Sequence, residues 1–239
     1  NIEIEEVSLS INFDIDANTV LKAADGAKMI ILCSPNNPTG NSLNRDQIKL
    51  ILENFDGLVV VDEAYIDFSS LPSLMSWLSE FENLFVSQTF SKAFGLAGIR
   101  VGIGLGNEDV IQLLHKIKPP YNVNSLSQEF ALRRLENIVQ VEEELIHIKL
   151  ERSRIEEYLS KNELVKVVYP TDANFILFKV DDANAFYTYF VERNVIVRNR
   201  TNVYGCENCL RVTIGTQEEN NRFIAVFESL INEQRVNQL

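Results

Sequence analysis

At 239 residues, 46% of them hydrophobic and 23% charged, the chain has the composition of a globular protein with one large core, or a core and a smaller satellite. A formal charge of −12, from 22 Lys and Arg against 34 Asp and Glu, argues against nucleic acid and anionic lipid as partners. It leaves room for a small anionic substrate, because a local arginine cluster outweighs diffuse charge screened over about 8 Å in physiological salt.

No apolar run approaches the ~20 residues that span a bilayer, and no basic segment followed by an apolar stretch marks a secretory leader. Three cysteines, an odd number, fit a reducing cytoplasm. Cys206 and Cys209 form one C-x-x-C without a second pair or a nearby histidine, so they read as plain thiols and no metal is expected. Cys33 closes an apolar run and is expected to be buried.

In chain order, residues 28–34 read as a buried strand feeding a turn rich in Pro, Asn and Gly. Residues 43–55 have helical spacing, with Ile48, Ile51, Leu52 and Phe55 on one face and Asn44 as N-cap. Leu58 to Val61 is an apolar run without alternation, which predicts a strand covered on both faces and ending at Asp62. Residues 72–80 read as a helix, and Leu84 to Val86 as a strand ending near Ser87. Another strand is predicted over 100–105, after the turn from Gly95 to Gly98. The spacing of Leu126, Phe130, Leu135, Val139, Ile146, Leu150, Ile155 and Leu159 predicts one long helix or a broken pair over 125–161. Strands at 164–169, 174–180, 195–198 and 209–214, with helices at 182–193 and 217–232, suggest a small α+β domain. The expected divisions are 1–124, 125–161 and 162–239.

The first half is a βαβαβ pattern, the signature of an open, mostly parallel α/β sheet, whose ligands sit off the carboxyl ends of the strands. Three strand ends carry polar clusters: Asn36-Asn37-Pro38-Thr39-Gly40, Asp62-Glu63-Ala64-Tyr65, and Gln88-Thr89-Phe90-Ser91-Lys92. Each has an ordinary reading alone, as a turn, a helix cap or a surface lysine. Their occurrence at three successive strand ends points to a site.

Together these segments resemble the fold type I family of pyridoxal-phosphate enzymes, the aspartate aminotransferase superfamily. Within it the wording is most similar to the histidinol-phosphate aminotransferases: CSPNNPTG, VVVDEAYIDF, SQTFSKAFGLAGIRVG, ANFILF, VIVRNR and CLRVTIGT. The resemblance implies an incomplete large domain with a smaller C-terminal α+β domain, a homodimer, and pyridoxal 5'-phosphate as cofactor. It further implies transfer of an amino group between histidinol phosphate and 2-oxoglutarate or glutamate. An N-terminal segment would precede residue 1, bringing a cofactor-phosphate loop, a ring-stacking aromatic and a tyrosine lent across the dimer.

The resemblance assigns roles by position. Lys92 would hold the cofactor as a Schiff base and then shuttle a proton, and Asp62 would face the pyridine nitrogen and keep it protonated. Asn37 and Tyr65 would bond the ring's phenolic oxygen, while Arg100, Thr89 and Ser91 would hold the phosphate. Arg211 would clamp the substrate α-carboxylate. Arg198 would bind the substrate phosphate, with Arg200 close enough to take its place. Tyr121 reads either as a substrate contact or as plain packing, and Asn174 as a residue that positions backbone. His115 and His147 have no part and read as helix-surface or partly packed residues. Three rivals stay open: a threonine-phosphate decarboxylase, an aromatic aminotransferase, and an aminotransferase-like regulatory module, against which the retained Arg211 speaks.

Overall fold

The computed structural model describes residues 2–237, which divide into two compact units. The first runs through Asn36 and resumes over Asn41–Glu143; the second holds Asn37–Gly40 and the chain from Glu144 onward.

The first unit is built on a four-stranded sheet in the order β1 (Met29–Cys33), β2 (Leu58–Asp62), β3 (Leu84–Thr89) and β4 (Gly102–Gly106). The first three strands are parallel and β4 runs antiparallel to β3. Register sets Cys33 opposite Asp62 and Asp62 opposite Ser87, so the polar strand ends align across the sheet. Helices α1 (Ala17–Ala23) and α2 (Arg45–Asn54) start at side-chain caps. The Asp16 carboxylate accepts from Thr19 N–H, and the Asn44 amide oxygen accepts from Asp46 and Gln47 N–H. Val20, Ile48, Ile51 and Leu52 then pack with Ile30, Leu32, Val59, Val61, Leu84 and Val86 in a single core.

That core lies on one face of the sheet. β1 alternates between exposed and buried residues, with Ile31 66% exposed, and β2 alternates between half-buried and buried ones. The expectation of strands covered on both faces is therefore corrected, and with it the expectation that Cys33 is buried, since it shares the exposed face. Two further differences are local. Residues 72–80 hold only a 3-10 turn, Leu74–Trp77; the Glu63 carboxylate accepts the Leu74 N–H at its start, and the Trp77 carbonyl receives both Glu80 and Phe81 N–H at its end. The strand expected from residue 100 begins at Gly102, Arg100 being left-handed at φ 57. Of the two readings of 125–161, the broken pair is the one found: α4 (Ser125–Glu136) and α5 (Ile138–Ser160) meet at Asn137. Of the periodic apolar positions, Leu126, Phe130, Leu135, Val139, Ile146 and Leu150 are exposed, whereas Ile155 and Leu159 are buried. Two helices, α1 and α3 (Glu108–Ile117), were not anticipated; Asn107 caps α3 with Glu108 and Asp109 in its first turn.

The second unit is a four-stranded antiparallel sheet in the order β5 (Val167–Val168), β6 (Phe175–Lys179), β8 (Cys209–Thr213), β7 (Arg198–Asn199). One face packs on α5, α6 (Ala183–Glu192) and α7 (Gln217–Asn237) through an aromatic cluster of Phe178, Phe186, Phe190, Phe223 and Phe227. Phe190 and Phe223 stack at 5.3 Å between ring centroids, and Phe227 meets its neighbours edge-on or tilted, the geometries that ring quadrupoles favour. No described helix is long and apolar enough to cross a membrane.

Candidate active site

In the first unit the ends of β2 and β3 carry the polar groups. Asp62 Oδ1 accepts from Ser87 Oγ at 3.0 Å and from Ala64 N–H at 3.2 Å, while Oδ2 has no hydrogen bond among the described residues. The carboxylate is thus fixed by one oxygen and open at the other. Tyr65, buried, opens a 3-10 turn at Ile66–Phe68. Lys92 Nζ sits 5.0 Å from the centroid of the Tyr65 ring, and no carboxylate pairs with it among the described residues.

The loop carrying Lys92 is held by its own backbone. Phe90 N–H bonds Val101 C=O, Leu96 N–H bonds Phe90 C=O, and Gly95 N–H bonds Lys92 C=O, with Gly95 at φ +69 closing the turn. Phe90 anchors the loop from inside, its ring 4.8 Å from that of Phe94. Thr89 Oγ1 accepts from Ser91 N–H at 3.1 Å, so Thr89 and Ser91 are brought together. Arg100 is not joined to them: its exposed guanidinium donates to Ala97 C=O at 2.9 Å.

In the second unit, Arg211 lies on β8 directly between Leu177 of β6 and Arg198 of β7. Arg211 Nη1 donates to Asn37 Oδ1 at 2.6 Å, and its guanidinium lies 4.6 Å from the Phe175 ring centroid. Arg198 is opposite Arg211 in register, so the two cations project from one face of the sheet. Arg200 is half-buried near the thiols instead: its backbone N–H bonds Cys209 C=O, and its Nε is buried without a hydrogen bond. Burial pushes the Cys206 thiol up to about 11 and raises that of Cys209, so both stay protonated at neutral pH.

The Asn-Pro-Thr-Gly segment packs against residues 171–175. Asp172 N–H donates to Gly40 C=O at 2.8 Å, and Thr171 Oγ1 donates to Phe175 C=O at 2.8 Å. Gly40, at φ +87, leaves room for Thr171: a Cβ there would stand 2.3 Å from Thr171 Oγ1. Arg152 Nη1 of α5 closes the loop by donating to Ala173 C=O at 2.8 Å, and Asn174 C=O accepts Ile214 N–H.

Tyr121 is 97% exposed, at φ 60. His115 and His147 are exposed on α3 and α5. Sequence reasoning missed Ser87, which orients Asp62, and Glu63, whose carboxylate is bonded by Ser73, Leu74 and Gln88. The signal for Glu63 was present: an acidic doublet directly after an apolar strand leaves the second acid pointing back toward the interior, where it demands donors.

The residues fit pyridoxal phosphate. An oriented carboxylate with one open oxygen suits a protonated ring nitrogen, and a lysine amine without an ion-pair partner suits attachment of an aldehyde.

A model of the family described as aminotransferase class I and II matches residues 2–227. The histidinol-phosphate aminotransferase of Christiangramia forsetii is 49% identical over 234 residues, covering 98% of this chain and 67% of that protein. The chain thus spans about two thirds of the length of this relative. The structure of the histidinol-phosphate aminotransferase from Clostridium acetobutylicum superimposes with a TM-score of 0.88 at 26% identity, covering 94% of this chain and 70% of that one. The structure of L-threonine-O-3-phosphate decarboxylase from Porphyromonas gingivalis gives a TM-score of 0.76 at 26% identity, over 87% of this chain and 66% of that one.

Proposed function

Because the chain belongs to the class I and II aminotransferases, we propose that it is the larger part of a histidinol-phosphate aminotransferase working in the cytoplasm as a homodimer. The observation that carries the substrate assignment is the register of Arg198 against Arg211. Like charges directly opposite on a sheet repel, and their pairing makes sense where each meets an anionic group of a substrate. Glutamate and histidinol phosphate each bring an anionic group: Arg211 grips the α-carboxylate of glutamate, and Arg198 the phosphate of histidinol phosphate. Asn37 Oδ1 holds Arg211 in place for the first of these.

Pyridoxal phosphate, when bound, supplies an electron sink for the pair left on substrate Cα after deprotonation. The chain's own residues do the rest. Lys92 Nζ would hold the cofactor and serve as the group that moves the proton at substrate Cα. Asp62, aimed by Ser87, would face the cofactor's ring nitrogen with its open oxygen and favour the protonated form. The Tyr65 hydroxyl would donate to the ring's phenolic oxygen. Thr89, Ser91 and Arg100 are assigned to the cofactor phosphate, Ser91 N–H being already turned toward Thr89 Oγ1. Tyr121, on an exposed loop, is assigned a substrate contact. The exposed apolar positions of α4 and of the first half of α5, such as Leu126, Phe130, Leu132 and Val139, support assembly into a dimer.

The test is a single-turnover half-reaction on the whole protein with histidinol phosphate, glutamate and phosphothreonine as separate donors. Conversion of the cofactor by the first two without release of carbon dioxide is expected. Carbon dioxide from phosphothreonine would favour the decarboxylase reading, which the likeness to the Porphyromonas gingivalis structure keeps as the second choice.

A further inference from the structure

Glu63 is 1% exposed, lies between Asp62 and the turn bearing Tyr65, and has no part in the chemistry above. Its Oε1 accepts Leu74 N–H at 2.7 Å; its Oε2 accepts Ser73 Oγ–H and, at 3.0 Å, Gln88 Nε2–H. The Ser73 hydroxyl in turn accepts from Met75 N–H at 3.0 Å and from Gln88 Nε2–H at 3.1 Å.

The protons in this network can be counted. A serine hydroxyl has one proton and two lone pairs; both lone pairs are filled by N–H donors, so the proton goes to Glu63. Leu74 N–H only donates, and Gln88 turns its amide NH2 toward both oxygens. Among the described residues every partner of the Glu63 carboxylate is a neutral donor, three in all, and its two oxygens only accept. Burying a carboxylate without a cation is costly, and such a group persists where its hydrogen bonds fix something. Here they join the end of β2 to segments 10 and 25 residues further along the chain. One donor, Gln88, immediately precedes Thr89 and stands four residues before Lys92.

We propose that Glu63 is a positioning residue, a buried ionised clamp that holds the Asp62–Tyr65 turn against the end of β3 so that Asp62 and Lys92 meet the cofactor from fixed positions. This rests on the assignment of Asp62 and Lys92 above.

Glu63→Gln keeps the side-chain volume but removes the charge on which three donors converge. In the whole protein, the cofactor dissociation constant should rise about tenfold, equivalent to one lost hydrogen bond of this kind. The visible circular dichroism of the bound cofactor, which reports how its ring is held, should lose amplitude. The double variant Glu63→Gln with Gln88→Glu exchanges acceptor for donor, satisfies every partner again and should recover both readouts. Parent-like affinity and dichroism in Glu63→Gln, or a double variant that recovers neither, would overturn the clamp. If Glu63→Gln alone does not fold, the double variant decides: folding with parent-like dichroism supports the clamp, and any other result rejects it. The underlying assignment is checked apart from this by borohydride reduction and peptide mapping. A mark on a lysine other than Lys92 would reject that assignment whatever the Glu63 variants do.

Discussion

Asp62 has one oxygen tied to Ser87 and the backbone and one oxygen open, so its side chain is aimed before any ligand arrives. Replacing it with Asn conserves that geometry and removes the charge. Asp62→Asn should therefore retain bound cofactor while losing most turnover, because an amide cannot stabilise a protonated ring nitrogen. Near-normal turnover in rapid-quench assays would reduce Asp62 to a turn-capping acid. The arginines on β7 and β8 should separate by substrate. Arg198→Ala is expected to weaken histidinol phosphate by about one to two decades, the worth of a charge-assisted pair at roughly 1.5–3 kcal/mol, with the glutamate half-reaction less affected. Arg211→Lys should harm glutamate more, since an ammonium cannot reproduce a two-point grip on a carboxylate. Equal losses on both donors would point to an aromatic aminotransferase. Asp62 and Lys92 were legible as candidates because they stand in polar clusters at successive strand ends, and Arg198 and Arg211 because their segments resemble those of a known family. Ser87 and Glu63 were not legible, because their partners are chosen by register and by a turn that lies 10 residues away.

At the scale of elements, caps were readable and faces were not. Asn44 was identified in advance because an amide before an apolar-periodic stretch has few other uses, and it does cap α2. Asn107 with two acids behind it was equally explicit, but α3 has no buried residue, and a reading that follows burial passes over it. The run Leu58 to Val61 suggested cover on both faces; sequence alone cannot say which segment supplies the second layer. The close packing of Gly40 gives an element-scale test. Gly40→Ala places a methyl into Thr171 at a left-handed φ, and should cost the second unit about 2 kcal/mol in urea unfolding. A second test concerns α5 and α7. Glu151 is held below its usual range first by the hydrogen bond from Arg154 and also by that from Asn220 of α7. A depressed carboxylate stabilises the fold above its unfolded value, about pH 4, and that contribution fades as pH falls through the folded value. Unfolding free energy measured against pH should fall less steeply on the acid side in Glu151→Gln than in the parent.

For the molecule as a whole, chain order and packing order disagree at one place. Residues 37–40 sit in sequence inside the first unit, with Asn36 and Asn41 on either side still bonded to each other there, yet they pack with the second. It follows that the two units are not separable by scissors. A fragment starting at residue 144 would carry β5 to β8 and both closing helices, but Arg211 would lose Asn37, and Asp172 N–H would lose the Gly40 carbonyl. Expressed alone, that fragment should melt earlier than the same unit within the intact chain, and a synthetic peptide covering 36–41 should bind it. Evolution by domain shuffling faces the same obstacle, since a cut at any single point leaves at least four residues on the wrong side. An insertion at this turn, which looks on paper like a tolerant surface loop, would instead act as a mutation of the distant β8 arginine.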